Sequence, residues 1–293
     1  MQNNNLKSYI HLHLIVFIWG FTAVLGQLIS LDALPLVWWR MVFASTIILV
    51  YLYFKKISLK VPTKTIIGFL FAGLIIALHW FTFFKAIKVS NVSVTLACIA
   101  TGAFFTSLLE PLLFGKKVVW YEIFLGVLVV IGLSIIFKVE TKYIEGIILA
   151  LLSAFLSATF AIINGKYAKE FNASVITFYE LLGGVLFLSI FIGFSDGFTP
   201  QFFQLSNHDL LWLFLLASVC TAYAFIASVQ VMKYLTPYTV MLTINLEPIY
   251  GTILALLVFK EAEKMSPNFY IGAFIILSTV LLNGYLKNIK KSN

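Results

Sequence analysis

A chain of 293 residues that is 61% hydrophobic and only 11% charged, with a mean hydropathy of +1.00, is excluded from the soluble globular class, where charged residues make up about 25%. No polar stretch is long enough to build a water-soluble domain. The net charge of +8 does not point to nucleic acid, because lysines in short loops beside apolar spans are what membrane orientation requires.

Apolar runs recur at about 9–29, 34–54, 64–84, 90–113, 120–138, 144–165, 173–193, 209–231, 237–259 and 269–286. About 20 apolar residues cross a hydrocarbon core of about 30 Å, so an all-α polytopic membrane protein of ten transmembrane helices is predicted. The first run lacks a small-residue cleavage pattern before the next span begins, so the N-terminus is expected to be retained. If it lies inside, thirteen lysines fall on that side: Lys7, Lys55, Lys56, Lys60, Lys64, Lys116, Lys117, Lys166, Lys169, Lys233, Lys287, Lys290 and Lys291. Six fall on the other: Lys85, Lys88, Lys138, Lys142, Lys260 and Lys264. The excess places both termini in the cytoplasm. The longest outer connection, Phe194 to His208, carries Asp196 and no lysine, in keeping with that orientation. Cys98 and Cys220 sit inside apolar runs without metal-ligand spacing and read as small core residues.

Polar residues inside the spans carry the functional signal, because a charge at mid-membrane costs about 2.5–3.5 kcal/mol or more unless it faces protein, water or a partner. In chain order they are Arg40 in the second run, His79 in the third, Glu110 near the end of the fourth, Glu180 in the seventh, and Asn245 and Glu247 in the ninth. At 1.5 Å per residue Arg40 and His79 fall roughly 9 Å below the outer surface, Glu180 roughly 10 Å above the inner one, and Glu110 near the level of Glu180. This pattern predicts an electropositive outer mouth, an acidic inner cluster, and no direct Arg40–Glu180 bridge. Trp19 and Glu247 fall near the midplane, where a solute is expected. Pro248, directly after Glu247, removes a backbone donor and is expected to loosen that span. Glu110 has a second reading as an interfacial ion pair with Lys116 and Lys117, and Arg40 one as an anchor reaching for the outer interface. His79 beside Trp80 also suits an aromatic belt. Tyr179, Tyr223 and Tyr250 either line a cavity or fill core. Gly183 and Gly184 suit close helix packing.

The chain also repeats. Ala86–Lys116 lies over Val231–Glu261 at a constant offset of 145 residues, and the span holding Arg40 falls over the span holding Glu180. Residues 1–138 and 139–293 are thus two five-helix units. Five is an odd number of crossings, so the second copy is expected to run through the membrane in the opposite direction. Inverted repeats of this kind underlie alternating access in secondary transporters.

With these features in place the chain resembles the drug/metabolite transporter superfamily, in particular its EamA-type permeases. The resemblance rests on Trp19-Gly20-Phe21, on Arg40 after Pro35, and on the block from Val231 through Asn245-Leu246-Glu247-Pro248 to Lys260-Glu261. It implies a ten-helix inverted-repeat bundle around a central cavity, moving amino acids or related small solutes, often outward, across a bacterial inner membrane. The first repeat departs from the pattern, with Gly102 and Ala103 in place of Glu247 and Pro248, and Lys116 in place of Glu261.

The solute-binding candidates are therefore Trp19, Arg40, His79, Glu180, Tyr223, Asn245, Glu247 and Tyr250, with Glu110, Glu180 and Glu247 as candidate proton relays. A proton gradient is a candidate driving force, since the sequence holds no nucleotide-binding P-loop; no cofactor, metal or catalytic residue is expected. An intramembrane enzyme is disfavoured by the absence of HExxH and GxSxG and by four scattered histidines. A lipid flippase would use the same bundle and is distinguished by a lateral opening to lipid.

Overall fold

The computed structural model describes residues 2–114, 120–195 and 197–292. Lys116, Lys117 and Asp196 lie outside the described residues, as does the pairing of Glu110 with those lysines. Among the described residues there are helices and no strands. In a medium without water every backbone N–H and C=O must be satisfied within its own segment, which the α-helix does.

The helices are α1 (Gln2–Leu28), α2 (Ala33–Phe54), α3 (Thr63–Val89), α4 (Val92–Ile99), α5 (Gly102–Phe114), α6 (Trp120–Val139), α7 (Ile144–Tyr167), α8 (Ala173–Phe194), α9 (Asn207–Ala217), α10 (Ala224–Val231), α11 (Pro237–Ile244), α12 (Glu247–Phe259) and α13 (Pro267–Ser292). Between α9 and α10, Ser218–Tyr223 winds as a π-helix. Eight rods are long and apolar enough to cross a membrane, with α4–α5, α9–α10 and α11–α12 each acting as one rod. Phe124–Ile136 in α6 and Pro267–Thr279 in α13 are shorter apolar stretches. The chain is a multi-pass membrane protein.

Two rods are broken, and at equivalent places. The offset of 145 residues carries Val92–Ile99 onto Pro237–Ile244 and Gly102–Phe114 onto Glu247–Phe259. This corrects the role expected for Pro248. The first rod breaks at Ala100 and Thr101 with no proline there, and Pro248 stands in the first turn of α12, where the missing N–H has no helical partner to lose. The proline starts a half-helix. Glu247 in the same first turn places an acid at the positive end of the helix dipole.

Contacts between rods respect the same exchange of halves. The α3–α7 pairing is matched by α1–α10, α3–α8 by α2–α9, and α1–α12 by α5–α7, while α2–α8 and α6–α13 pair with themselves. Glycine permits the closest of these. A Cβ at Gly183 would lie 2.7 Å from the Leu70 carbonyl oxygen, and Gly132 and Gly272 face each other's backbone so that a Cβ on either would meet the other's oxygen at 2.9 and 2.8 Å. The expectation that Gly183 and Gly184 serve close packing fits this geometry, with α8 set against α3 and Met41 of α2.

Candidate functional site

Where the halves meet, α1, α2, α3, α4, α7, α10, α11 and α12 line a cavity of about 80 Å³. A water needs about 10–15 Å³ of such space, so this conformation has room for a handful of waters and not for a pocket of about 300 Å³ or more, typical of sites that hold drug-sized ligands. Four predicted residues lie in its wall: Trp19, Arg40, His79 and Glu247.

Arg40 is held as a positioned cation. Its side chain is 2% exposed, its Nε donates to Thr221 Oγ1 at 2.7 Å, and its guanidinium lies 3.8 Å from the centre of the Trp80 ring. Stacking on an aromatic face and a directed Nε bond are arginine chemistry that lysine cannot copy. This corrects the anchor reading, since a snorkelling side chain would carry its charge to the interface. Nη1 remains buried with no acceptor. The π-helical turn supplies the partner: Thr221 Oγ1 donates to Leu216 O at 2.7 Å, and the neighbouring Cys220 carbonyl accepts from Trp19 Nε1 at 3.1 Å. Such turns occur often at functional sites.

Glu247 is 8% exposed and shares the cavity with Arg40. Among the described residues no salt bridge joins the two. His79 is fixed through Ser153: Nδ1 lies 2.9 Å from the Ser153 carbonyl and 2.8 Å from its hydroxyl, which also donates to the His79 carbonyl at 2.9 Å. A carbonyl only accepts, so Nδ1 carries the hydrogen and Nε2 is left as the acceptor of the neutral ring. This placement assigns His79 to the cavity and not to an aromatic belt.

The remaining wall is aromatic and apolar. Phe160 stacks on Phe225 at 5.3 Å and 11°, and Trp80 leans on Phe225 at 5.5 Å. Sequence reasoning missed Thr22, Ser157, Phe160, Phe225, Ser228 and Met241 as wall residues. Among 29 Phe and 13 Tyr, nothing local separates a ring that faces a cavity from one that faces lipid.

The other candidates stand elsewhere. Tyr223 is 45% exposed and accepts or donates at 3.0 Å with His11 Nε2 on the outer side of the bundle. Tyr250 packs on Phe17 and Gly20. Asn245 closes α11, buried behind the cavity. Glu180 is fully buried on α8, outside the cavity wall. Its polar neighbour is Asn164, yet neither carboxylate oxygen nor either amide atom makes a well-aligned hydrogen bond. Glu110 is half-buried on α5, which packs on α7 and α11. Arg40 and Glu180 form no bridge, as expected.

Contacts between the halves close over both ends of the bundle. At the α1–α2 end, Asp209 accepts from Ser30 N and Ser30 Oγ, both at 2.7 Å, and within the first half Lys88 Nζ donates to Ile29 O. Glu263 caps α4, taking Val92 N at 3.0 Å and Ser93 N at 2.8 Å. At the α2–α3 end the seal is aromatic: Phe69 meets Tyr167, Phe171 and Tyr179 at 4.9–6.2 Å, and Tyr179 donates to Leu59 O at 3.0 Å.

The chain is similar to known proteins. An uncharacterized transporter of Archaeoglobus fulgidus is 22% identical over 293 residues, covering 95% of this chain and 97% of its own. A protein of known crystal structure superposes with a TM-score of 0.69 at 14% identity, over 96% of this chain and 97% of that one, which is a likeness of fold. The EamA-like transporter family matches twice, over residues 6–138 and 144–285. The chain therefore belongs to the EamA-like transporter family.

Proposed function

We propose that the protein is a secondary transporter that moves small metabolites, amino acids or related zwitterionic solutes, by alternating access and in the outward direction. The reading rests above all on one observation: a cavity between the halves holds Arg40 and Glu247 apart in an aromatic wall, so that a solute carrying both charges meets a partner for each. A buried donor without an acceptor, such as Arg40 Nη1, costs about 1–3 kcal/mol, and a solute carboxylate would recover that cost.

In this mechanism the two halves run antiparallel as ten spans, both termini facing the cytoplasm, and rock about the cavity. The polar seal at the α1–α2 end and the aromatic seal at the α2–α3 end open in turn. His79 Nε2 accepts from the solute ammonium, and Glu247 takes up a proton from the side to which the cavity is open and releases it after the cavity has changed face, which couples flux to a gradient. Glu180 stays outside the solute path as a second buried acid. A flippase reading is weaker, because the cavity is walled by protein on the side of α10.

The test is uptake and efflux in proteoliposomes with a panel of amino acids and other small metabolites, with and without a proton gradient. Glu247→Gln is expected to insert normally and to lower flux at least tenfold, with loss of gradient dependence. Unchanged flux with unchanged gradient dependence removes Glu247 from the mechanism.

A further inference from the structure

A larger cavity lies elsewhere. A groove of about 510 Å³ opens between α1, α2, the start of α8, the π-helical turn and α10. It lies on the far side of α10 from the central cavity: Phe225, Ser228 and Met232 face the cavity, whereas Ile226, Ala227 and Gln230 face the groove. Those sets sit on opposite sides of a helix that turns 100° per residue, so the groove is no entrance to the solute site.

Its lining is graded. At depth it is apolar, with Ile47, Ile48, Ala222 and Ile226; toward the α2–α3 end it becomes polar, with Tyr51, Asn172, Ser174 and Gln230. From Ser218 to Gln230 it runs about 18 Å along the helix, close to the depth of one leaflet, half of about 30 Å. Its walls continue into exposed Val50, Phe54, Leu215 and Val219, so its open side meets acyl chains. The rim is basic. Lys55 and Lys56 precede the lining residue Ile57, Lys169 precedes Asn172, Lys7 lies one turn before His11, and all four lysines are exposed. Glu170 is the one acid among these segments.

We propose that this groove binds one anionic phospholipid, with an acyl chain along Ile47, Ile48 and Ile226 and the phosphate at the lysine rim. Basic recesses between membrane helices on the cytoplasmic side suit anionic headgroups, and the lysine excess assigns this end to the cytoplasm. The occupant bears on the solute site through one element. Ser218, Ala222 and Tyr223 of the π-helical turn line the groove, while Cys220 and Thr221 of the same turn hold Trp19 and Arg40. Lipid in the groove braces the turn that positions Arg40. This consequence for flux rests on the transport reading; the binding does not.

The binding is measured on the full-length protein with a photoactivatable phosphatidylglycerol and with phosphatidylcholine of the same chains, followed by mass spectrometric mapping. Phosphatidylglycerol is expected to label residues around Ile47 and Ile226 at least fivefold above phosphatidylcholine. Ala227→Trp, which fills the groove, and the combined Lys55→Ala, Lys56→Ala, Lys169→Ala variant, which leaves the groove wall intact, are each expected to lower that labelling at least fivefold. Equal labelling by the two lipids, labels spread evenly around the bundle, or undiminished labelling in the rim variant overturns the proposal. Flux in vesicles of phosphatidylcholine alone against vesicles with phosphatidylglycerol then tests the bracing separately.

Discussion

Arg40 shows how a residue's chemistry follows from its surroundings more than from its type. It is fixed by a ring at 3.8 Å and by Thr221 at 2.7 Å, so its direction is set before any solute arrives. Arg40→Lys retains a charge and loses both fixtures. A hydrogen bond to a charged group is worth about 1.5–3 kcal/mol, so a roughly tenfold to hundredfold loss of flux is expected in a protein that still inserts; wild-type flux in this variant would return Arg40 to an anchoring role. Lys56 offers a test of backbone strain. It takes a left-handed conformation at φ 52°, where the chain leaves α2 and Ile57 N bonds back to Leu52 O at 3.0 Å. A side chain in that region costs roughly 1–2 kcal/mol, part of which glycine's chain entropy takes back. Lys56→Gly is thus expected to raise the thermal midpoint in detergent slightly, and a fall in the midpoint would contradict the strained turn.

At the scale of elements, the broken rods and the glycine contacts do different work. The breaks after Ile99 and Ile244 bring two half-helices to begin inside the protein, and Glu247 occupies one such start while Gly102 occupies the other. The asymmetry leaves one start charged and the other bare, with a Cβ at Gly102 meeting Met241 Cε at 2.8 Å. The α3–α8 contact is a packing device: a Cβ at Gly183 meets backbone at 2.7 Å, whereas at Gly193 of the same helix nothing lies within 4 Å. Overpacking costs about 1–3 kcal/mol or more when the obstacle cannot yield. Gly183→Leu should therefore lower the thermal midpoint clearly and Gly193→Leu should not; equal effects would mean that the helices do not approach as closely as described.

For the whole molecule, the two seals differ in kind. One is a set of hydrogen bonds between Asp209, Ser30 and their neighbours, the other a cluster of rings around Phe69. If the halves rock, each must part in turn. A disulfide formed in the Ser30→Cys, Asp209→Cys variant is expected to stop flux, and reduction to restore it. Continued flux with the bond formed would mean that this end never opens.

The sequence alone determined that the protein lives in a membrane, where most of its helices run, and that it is built as a doubled unit, because these depend on apolar length, on loop charge and on a repeated pattern, all of which are local. It also picked out Trp19, Arg40, His79 and Glu247, since ionisable or amphipathic groups within apolar spans are costly wherever they fall. Only the tertiary structure decided which of them meet. Glu180, Asn245, Tyr223 and Tyr250 satisfy the same local rule and stand apart from the cavity, because the direction a side chain takes is fixed by which neighbouring helix packs on which face. The π-helical turn that holds Arg40, the aromatic wall of Phe160 and Phe225, and the groove behind α10 leave no trace in a linear pattern, for each is made by residues brought together from distant parts of the chain.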